Sequence, residues 1–462
     1  MIKPFANLFL TWLFFTPFAY AELNLELPDL NLPDIGVSTA TISQNNQLGV
    51  KILRNFRKNL PVVEDPELNS WIRSMGNRLA SRAPTHNKLY FLLVKNPEVN
   101  AFASPGGVIV INTGLVLESD SESEVAAVVA HEIAHITQNH ISRMIAKSKG
   151  NVLGTSAAIL AGLVAGSQNP DAGSAIVTTA MAAQQHKQLA FSREMEAEAD
   201  RVGIRILSSG GFKASGMPDF IAKLDRLNDD PNAQLTKYLL NHPLSIERLS
   251  DTRSRAQRLG NRGKDDISFF YRREKIRGLM SSGLQAQTPA LPNKQFRNYS
   301  QAIKLIARGQ NKAALRLLGT KPGSLAEKLA VAKAFNATRE YQKTIKLLSP
   351  IAATHPGEPA ILVPLANALL ATGNAAQAWK YLQRTVAEEQ TSLAFFEVKQ
   401  EVAKQMGYIA DAYIASADRN IRIGEYQLAR AQLQQAMKLS GVSAQDMSRL
   451  QSRFNNLQRS NP

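Results

Sequence analysis

A 34-residue spacing in the last third of the chain narrows the possible folds more than any other feature of the sequence. Arg339-Glu340-Tyr341 and Gly373-Asn374-Ala375 lie 34 residues apart, and Gly424-Glu425-Tyr426 follows after a further 51, or one and a half units. A small residue stands seven positions before each of these turns, as Ala332, Ala366 and Ala417. Small side chains let neighbouring helices approach closely, so the spacing predicts stacked helical hairpins, with an ordinary helical bundle as the alternative.

The same unit predicts further parts of this helical region. Thirty-four residues is the period of tetratricopeptide repeats, in which a second small residue comes five positions after the turn. Ala378 and Ala429 fill that position, and Thr344 departs from it. We expect an extra helix between repeats at residues 391–409 and a polar, solvating cap at 443–457. Such a stack forms a concave surface that binds extended peptides or partner helices.

The stretch 131–135, with the sequence HEIAH, contains the residue types of a metal-dependent catalytic site. A capping box of Ser121 and Glu124 and an apolar run precede it, which indicates a helix. Residues four apart lie on one face of a helix, so His131 and His135 can occupy two corners of a zinc tetrahedron. Glu132 stands beside them and can act as a general base. The chain has no cysteine, so any further protein ligand must be a histidine or a carboxylate.

A catalytic zinc ion bound by two histidines needs a third protein ligand, and a second helix offers one. Glu196 and Asp200 lie four residues apart and therefore face the same way, ahead of a stop signal at Gly210 and Gly211. We predict that Glu196 is the third metal ligand. We predict that Asp200 orients His131 by accepting a hydrogen bond from its other ring nitrogen.

Other polar residues near these motifs are expected to lie outside the site. His140 follows His135 by five residues, which is about 500° around a helix, so it should face away from the metal and have a structural role. Glu194 and Glu198 should point into solvent. The histidines that match no ligand pattern are His86, His186 and His355.

Two strand-like runs precede the metal motif, at residues 89–94 and 108–112. The segment 100–103 and the turn Pro105-Gly106-Gly107 separate them, so we expect a small sheet followed by helices and loops from Asp120 to about Leu259. The run 108–112 is either an edge strand on which an extended substrate can add or an internal core strand.

The N-terminus has the pattern of a secretory signal peptide. Lys3 precedes an apolar run at residues 5–18, and Ala19-Tyr20-Ala21 forms an A-x-A site, so we predict cleavage after Ala21 rather than an uncleaved anchor. The net charge is +16, and residues 301–462 carry 21 basic and 11 acidic side chains, or +10 of it. Because an exported chain rarely meets DNA or RNA, we do not expect a nucleic-acid partner.

Together these motifs resemble the gluzincin metallopeptidases related to the HtpX and CAAX-prenyl endopeptidases. The resemblance implies one zinc ion per subunit and hydrolysis of peptide bonds. It implies a role for His242, either as a donor to the tetrahedral intermediate or as a fourth zinc ligand in a latent state, with a plain helix-start histidine as the alternative. Arg248 is expected to orient the site or substrate, or to be an ordinary surface arginine. The matching segments are His131-Glu132-x-x-His135, Ser192-Arg193-x-x-Glu196-x-x-Ala199-Asp200-x-x-Gly203, 100–103, 105–107, His242-Pro243 and Arg248.

We therefore predict an α+β chain: a mainly helical zincin metallopeptidase domain with a small β-sheet, followed by an all-α tetratricopeptide repeat domain. The predicted bounds are a signal peptide at 1–21, the peptidase domain at 22–280, a linker at 281–295 and the repeat domain at 296–462. Between the two metal helices, residues 148–190 suit a mobile lid, a membrane-surface contact or ordinary helical packing, since the apolar run at 152–166 is too short to span a bilayer.

The signal peptide and C-terminal repeats make the whole chain resemble exported, repeat-bearing members of this family. That implies a periplasmic enzyme, peripheral to the outer membrane, that degrades unfolded or misassembled outer-membrane proteins and contacts their assembly machinery through the repeats. The alternative is a chaperone or assembly adaptor that acts through the repeats with a largely latent metal site. A zinc hydrolase of non-peptide substrates is disfavoured because the strand and the repeats suit polypeptides.

Overall fold

The computed structural model describes residues 39–147, 191–228, 236–260, 262–280, 293–319 and 321–460. These residues confirm the α+β class, with a three-stranded sheet inside a helical N-terminal region and only helices after it. The N-terminal helices are α1 Thr39–Asn59, α2 Pro66–Ala80, α3 Thr113–Glu118, α4 Glu122–Thr137, α5 His140–Lys147, α6 Arg193–Ser209, α7 Gly216–Asn228, α8 Thr236–Asn241, α9 Ile246–Leu259 and α10 Ser268–Met280. The later helices are α11 Lys294–Ala307, α12 Asn311–Leu318, α13 Leu325–Ala337, α14 Tyr341–Thr354, α15 Pro359–Ala371, α16 Ala375–Leu382, α17 Leu393–Gln405, α18 Ile409–Arg422, α19 Tyr426–Met437 and α20 Ala444–Ser460.

The sheet contains β1 Tyr90–Val94, β2 Ala101–Ser104 and β3 Val108–Asn112 in the spatial order β1-β3-β2. β3 pairs in parallel with β1 and antiparallel with β2. The possibility that residues 108–112 form an edge strand is therefore wrong, because β3 is central. All five residues of β3 are buried, and an unbroken apolar run is typical of a strand covered on both faces. The sequence did not predict β2, because four residues are too few to show the period of a strand.

Helices cover both faces of the sheet. Alternate residues of β1 and β3 pack with Ile52, Leu53 and Phe56 of α1 on one face. The intervening residues pack against α2 and α4 on the other face, within the largest apolar cluster of the described residues. The sheet thus packs against α4, the helix of the metal motif, within this cluster.

The repeat prediction is confirmed by backbone conformation. Arg339, Gly373 and Gly424 have φ values of 63°, 76° and 73°, so the aligned turns share a left-handed residue. The alanines seven positions earlier are buried at helix crossings. Thr344, the residue that departs from the repeat pattern, is buried and donates a hydrogen bond from its hydroxyl to the carbonyl oxygen of Ala332 at 3.2 Å. The expected extra helix is α17.

The outer edge of β1 is covered by two segments. In the segment before α2, the Val63 N–H donates to Leu93 O at 2.8 Å. From the repeat region, the side-chain carbonyl of Gln390 accepts the Phe91 N–H at 2.6 Å. The edge of the sheet next to the metal motif is therefore β2.

Basic residues of α1 hold the loop that carries Gln390. Arg57 is buried and donates to the carbonyl oxygens of Glu389 at 2.9 Å and Gln390 at 3.3 Å. Arg54 pairs with the Glu389 carboxylate through two contacts of 2.7 and 3.2 Å. The repeat region is thereby joined to α1 by charge-assisted hydrogen bonds.

Several predictions from the sequence fall outside the described residues: the signal peptide at 1–21, the segment 148–190, and all but the last three residues of the linker at 281–295. Among the helices that are described, none combines the length and apolar character needed to cross a bilayer.

Replacing Arg57 with alanine is expected to lower the free energy of unfolding by about 2 kcal/mol, because buried carbonyls lose a charged donor. Urea denaturation of the full chain measures this change. Lys51→Ala, an exposed basic residue on the same helix, is the control and should stay within about 0.5 kcal/mol of the parent. Equal stability of the two variants would contradict the interpretation of Arg57.

Candidate metal centre

Helix α4 presents the HEIAH motif to the interior. Its N-cap is Ser121, whose hydroxyl accepts the Glu124 N–H, as the capping pattern predicted. His131 and His135 lie one turn apart and are buried, and Glu132 between them is buried as well. The helix period therefore brings both imidazoles to one side of α4.

Helix α6 crosses α4 at very short range. Gly203 makes this possible, because a Cβ atom there would lie only 3.2 Å from the carbonyl oxygen of Ala130 and 3.2 Å from the Cα of His131. One turn before Gly203 is Asp200, and one turn before that is Glu196. Both carboxylates are consequently directed at the histidines of α4.

Four side chains converge on one point. His131 Nε2 and His135 Nε2 lie 2.9 Å apart, and Glu196 Oε1 lies 3.4 Å from His135 Nε2. His242, which follows α8, places Nδ1 3.0 Å from Glu196 Oε1. All four potential ligand atoms lie within 4.8 Å of one another, and all four residues are buried.

The donor set fits a divalent metal such as zinc. Imidazole nitrogens and a carboxylate oxygen are its usual non-thiolate ligands. In addition, Glu132 Oε1 is buried and accepts no hydrogen bond. A buried carboxylate oxygen without a donor is costly, so its free lone pairs indicate that this pocket is built to hold a cation.

Asp200 and Arg248 form a charged layer beneath these residues. Asp200 Oδ1 lies 2.9 Å from His131 Nδ1, where sequence analysis expected it. Arg248 donates through Nε and Nη2 to the two oxygens of Asp200, at 2.7 and 2.9 Å. Its Nη1 lies 2.7 Å from Glu196 Oε2 and also donates to the carbonyl oxygen of Pro243 at 3.0 Å. Arg248 is buried, so the alternative of an ordinary surface arginine is wrong.

Burial and mutual charge set the protonation of the pocket. Burial alone would lower the pKa of His131, but chiefly Glu196 raises it to about 10. Burial lowers the pKa of His135 well below its usual value, which favours the neutral imidazole that metals bind. Burial would raise the pKa of Glu196, but His242 and His131 hold it well below its usual range. Burial raises the pKa of Glu132, which makes it a stronger base.

Strand β2 runs directly past Glu132. β2 packs against α4, and the backbone N–H of Ala103 favours the ionised Glu132 carboxylate, an effect smaller than the burial that raises its pKa. The edge on which a peptide can add is therefore adjacent to the candidate base, one strand away from the position considered in the sequence.

His140 lies against the pocket, and the prediction that it faces away is wrong. Its Nδ1 lies 2.9 Å from His135 Nδ1. The prediction assumed a continuous helix, but α4 ends at Thr137 and Asn139 adopts a φ of 53°, so α5 starts in a new direction. Glu198, expected in solvent, instead accepts hydrogen bonds from His140 and Arg143; Glu194 is exposed as expected.

Two aromatic rings that sequence analysis missed cover the histidines. Phe191 packs on His135 with ring centroids 3.9 Å apart. Tyr238 stacks on His242 at 4.7 Å. The spacing of four residues between Tyr238 and His242, one helical turn, is the signal that could have identified the second contact.

Two protein-family models match parts of this chain. The model of peptidase family M48 matches residues 66–256, and a tetratricopeptide repeat model matches residues 336–401. The second match confirms the class of repeat predicted from the 34-residue spacing.

Three relatives illustrate the extent of similarity. The beta-barrel assembly-enhancing protease of Yersinia pestis is 31% identical over 366 residues, which cover 78% of this chain and 70% of that protein. The protein of the same name from Escherichia coli (strain K12) is 35% identical over 268 residues, 56% of this chain and 54% of the relative. Metalloprotease LoiP of Escherichia coli (strain K12) is 27% identical over 192 residues, 41% of this chain and 69% of the relative. The alignment thus spans only about half of the second relative.

Replacing Arg248 with methionine should destabilise the metal-free protein by about 3–5 kcal/mol, because Asp200 and Glu196 would keep buried charges without their cation. Thermal and urea unfolding of chelator-treated protein measure the loss. Arg248→Lys retains the charge but cannot bridge both carboxylates, so it should fall between the parent and Arg248→Met.

The control is Arg253→Met, an exposed residue of the same helix. Equal stability of Arg248→Met and Arg253→Met would show that the charged layer is not held by Arg248.

Proposed function

The chain belongs to peptidase family M48, as a homologue of the beta-barrel assembly-enhancing proteases, and we propose that it is a periplasmic zinc endopeptidase that cuts unfolded or misassembled outer-membrane proteins. The observation that carries the proposal is the convergence of His131, His135, Glu196 and His242 beside the buried carboxylate of Glu132. Membership of family M48 makes the chain a metallopeptidase. The identity of the metal as zinc, the periplasmic location and the substrate class are our proposals.

The proposed chemistry assigns His131, His135 and Glu196 as ligands and Glu132 as general base. Zinc at this site would supply a Lewis acid that polarises the scissile carbonyl and acidifies water. Glu132 has a free oxygen, Oε1, with which to accept the proton of the attacking water and later return it to the leaving amine. Asp200 holds the His131 ring through Nδ1.

Strand β2 is the proposed substrate-binding element. Its outer edge passes Glu132, and an extended peptide that pairs with it would bring its carbonyl groups past the base. Backbone pairing of this kind does not depend on side-chain identity. It therefore suits unfolded chains of varied sequence, and the concave repeat surface offers a second place to hold them.

His242 is proposed to keep the enzyme latent. Its Nδ1 lies 3.0 Å from Glu196 Oε1 and 3.4 Å from His131 Nε2, so His242 would hold a bound metal as a fourth ligand, at the position that a catalytic site leaves open. The rings of Tyr238 and Phe191 pack on the histidines, and all candidate ligands are buried. Activation would then require the segment after α8 to move away from the site.

The periplasmic location is supported by the predicted signal peptide and by the names of the relatives. Those names associate the relatives with beta-barrel assembly, from which we infer outer-membrane substrates and contact with the assembly machinery through the repeats. A membrane-surface contact through residues 148–190 stays a prediction, outside the described residues.

The second candidate, an assembly adaptor acting through its repeats, is favoured by one observation, the closed metal pocket. The two functions differ in whether they need Glu132. An adaptor should still complement a deletion strain after Glu132→Gln, whereas a protease should not.

Glu132→Gln should retain metal binding and lose proteolysis of an unfolded substrate such as casein by at least about 100-fold, because the amide cannot accept the proton. His135→Ala should lose both metal and activity. Glu401→Gln, a matched change at an exposed carboxylate of the repeats, should behave as the parent. Retained proteolysis by metal-loaded Glu132→Gln would exclude the proposed mechanism.

His242→Ala should raise basal proteolysis, because it vacates the fourth corner of the metal site. Casein hydrolysis and X-ray absorption spectroscopy of the metal shell are the measurements, with His86→Ala at an exposed position as control. A fall in activity would instead assign His242 as a donor to the transition state. No change in activity or in the metal shell would exclude both roles.

A further inference from the structure

A chain of hydrogen bonds leads from the metal pocket to the surface through His140. We propose that His140, held by Glu198, is a positioning residue that fixes the tautomer of His135, so that the Nε2 lone pair of His135 faces the metal. This inference rests on the proposed function, since it assigns His135 as a zinc ligand. It concerns the residues that orient the ligand and not the ligand itself.

The first step concerns the two nitrogens of His135. Nε2 is the atom that faces His131 at 2.9 Å and Glu196 at 3.4 Å, so it is the atom available to a metal. An imidazole that offers Nε2 as a lone pair while neutral must carry its hydrogen on Nδ1. Nδ1 of His135 lies 2.9 Å from Nδ1 of His140, which therefore has to be the acceptor.

The second step concerns His140. Since its Nδ1 accepts, its hydrogen resides on Nε2, and this nitrogen lies 3.1 Å from Glu198 Oε2. An ionised carboxylate only accepts hydrogen bonds, so Glu198 selects this tautomer of His140. Arg143 donates to the same oxygen at 2.8 Å and keeps Glu198 in place. The two imidazoles thus both donate outward, from His135 to His140 and from His140 to Glu198, where the carboxylate also accepts from Arg143.

The two histidines of α4 are thus oriented in different ways. Asp200 faces His131 directly, whereas His135 is reached by a carboxylate only through a second imidazole. His140 is fully buried, while the side chains of Glu198 and Arg143 are 30% and 43% exposed. Water can partly replace the exposed groups. The contribution of each residue to zinc affinity should therefore be largest for His140, smaller for Glu198 and smallest for Arg143.

Packing favours the same ring position. Phe191 contacts both imidazoles, with centroid distances of 3.9 Å to His135 and 6.1 Å to His140. The left-handed Asn139 turns the chain so that α5 begins with His140 against the site. The contact is therefore built into the end of α4.

Zinc affinity of the full-length protein tests the proposal, measured by competition with a chromophoric chelator. His140→Leu should weaken zinc binding about 10–100-fold, as is typical for loss of a ligand's outer partner. His140→Asn, whose Oδ1 can take the place of the Nδ1 acceptor, should restore most of the affinity. Glu198→Ala should show a smaller loss and Arg143→Ala the smallest. The matched controls are His86→Leu and Glu401→Ala at exposed positions.

A second readout is independent of metal and activity. Long-range ¹H–¹⁵N spectra of histidine-labelled, metal-free protein report which nitrogen of each ring is protonated. We expect His135 in the Nδ1–H form in the parent and a mixture of tautomers in His140→Leu. Thermal unfolding of each metal-free variant shows whether it has retained its fold.

Zinc affinity in His140→Leu equal to that of the parent would overturn the proposal, as would an Nε2–H tautomer of His135 in the parent. An equal loss in His140→Asn and His140→Leu would also overturn it, because packing rather than the acceptor would then be responsible. Failure of the parent to bind zinc would instead defeat the proposed function, and the tautomer of His135 would still decide this inference.

Discussion

The close crossing of α4 and α6 is the constraint on which the rest of the structure depends. Gly203 has no side chain, and this absence lets the backbone of α6 approach the Cα of His131. Only at this distance can carboxylates of α6 reach imidazoles of α4. The sheet supports the arrangement from the other side, because its strands are buried on both faces and pack directly on α4. His131, His135 and Glu196 are thereby held by two rigid helices, and His242 joins them from the segment after α8.

Bringing several ionisable groups into one dry pocket carries an electrostatic cost that the surrounding residues offset. Arg248 neutralises Asp200 and Glu196 together, and Asp200 in turn holds His131. The same burial that raises the pKa of Glu132 also shields it from substrate. Burial of the ligands and of Glu132 in one conformation is what the proposed latent state requires.

The repeat region also contacts the sheet that supports the metal pocket. Gln390 occupies a backbone donor of β1, and Arg57 fixes the loop that carries it. One edge of the sheet is thus covered from within the chain, and the other, β2, lies beside Glu132. If the repeats hold an unfolded polypeptide as proposed, β2 is the edge of the described sheet that lies nearest to Glu132.

Regular spacing allowed the sequence by itself to determine much of this protein. The interval of four between His131 and His135 and the 34-residue period of the repeats both describe residues on one element or in one repeated unit, and both appear in the structure as expected. Apart from the Asp200–His131 and Glu196 contacts, which the motif spacing predicted, contacts between elements were decided by the tertiary structure. His140 faces the site because α4 stops at Thr137, and β3 is central because an unseen four-residue strand pairs with it. Periodicity tells which side chains share a face, but it does not tell where a helix ends or which neighbour it meets, because those outcomes depend on packing between distant segments of the chain.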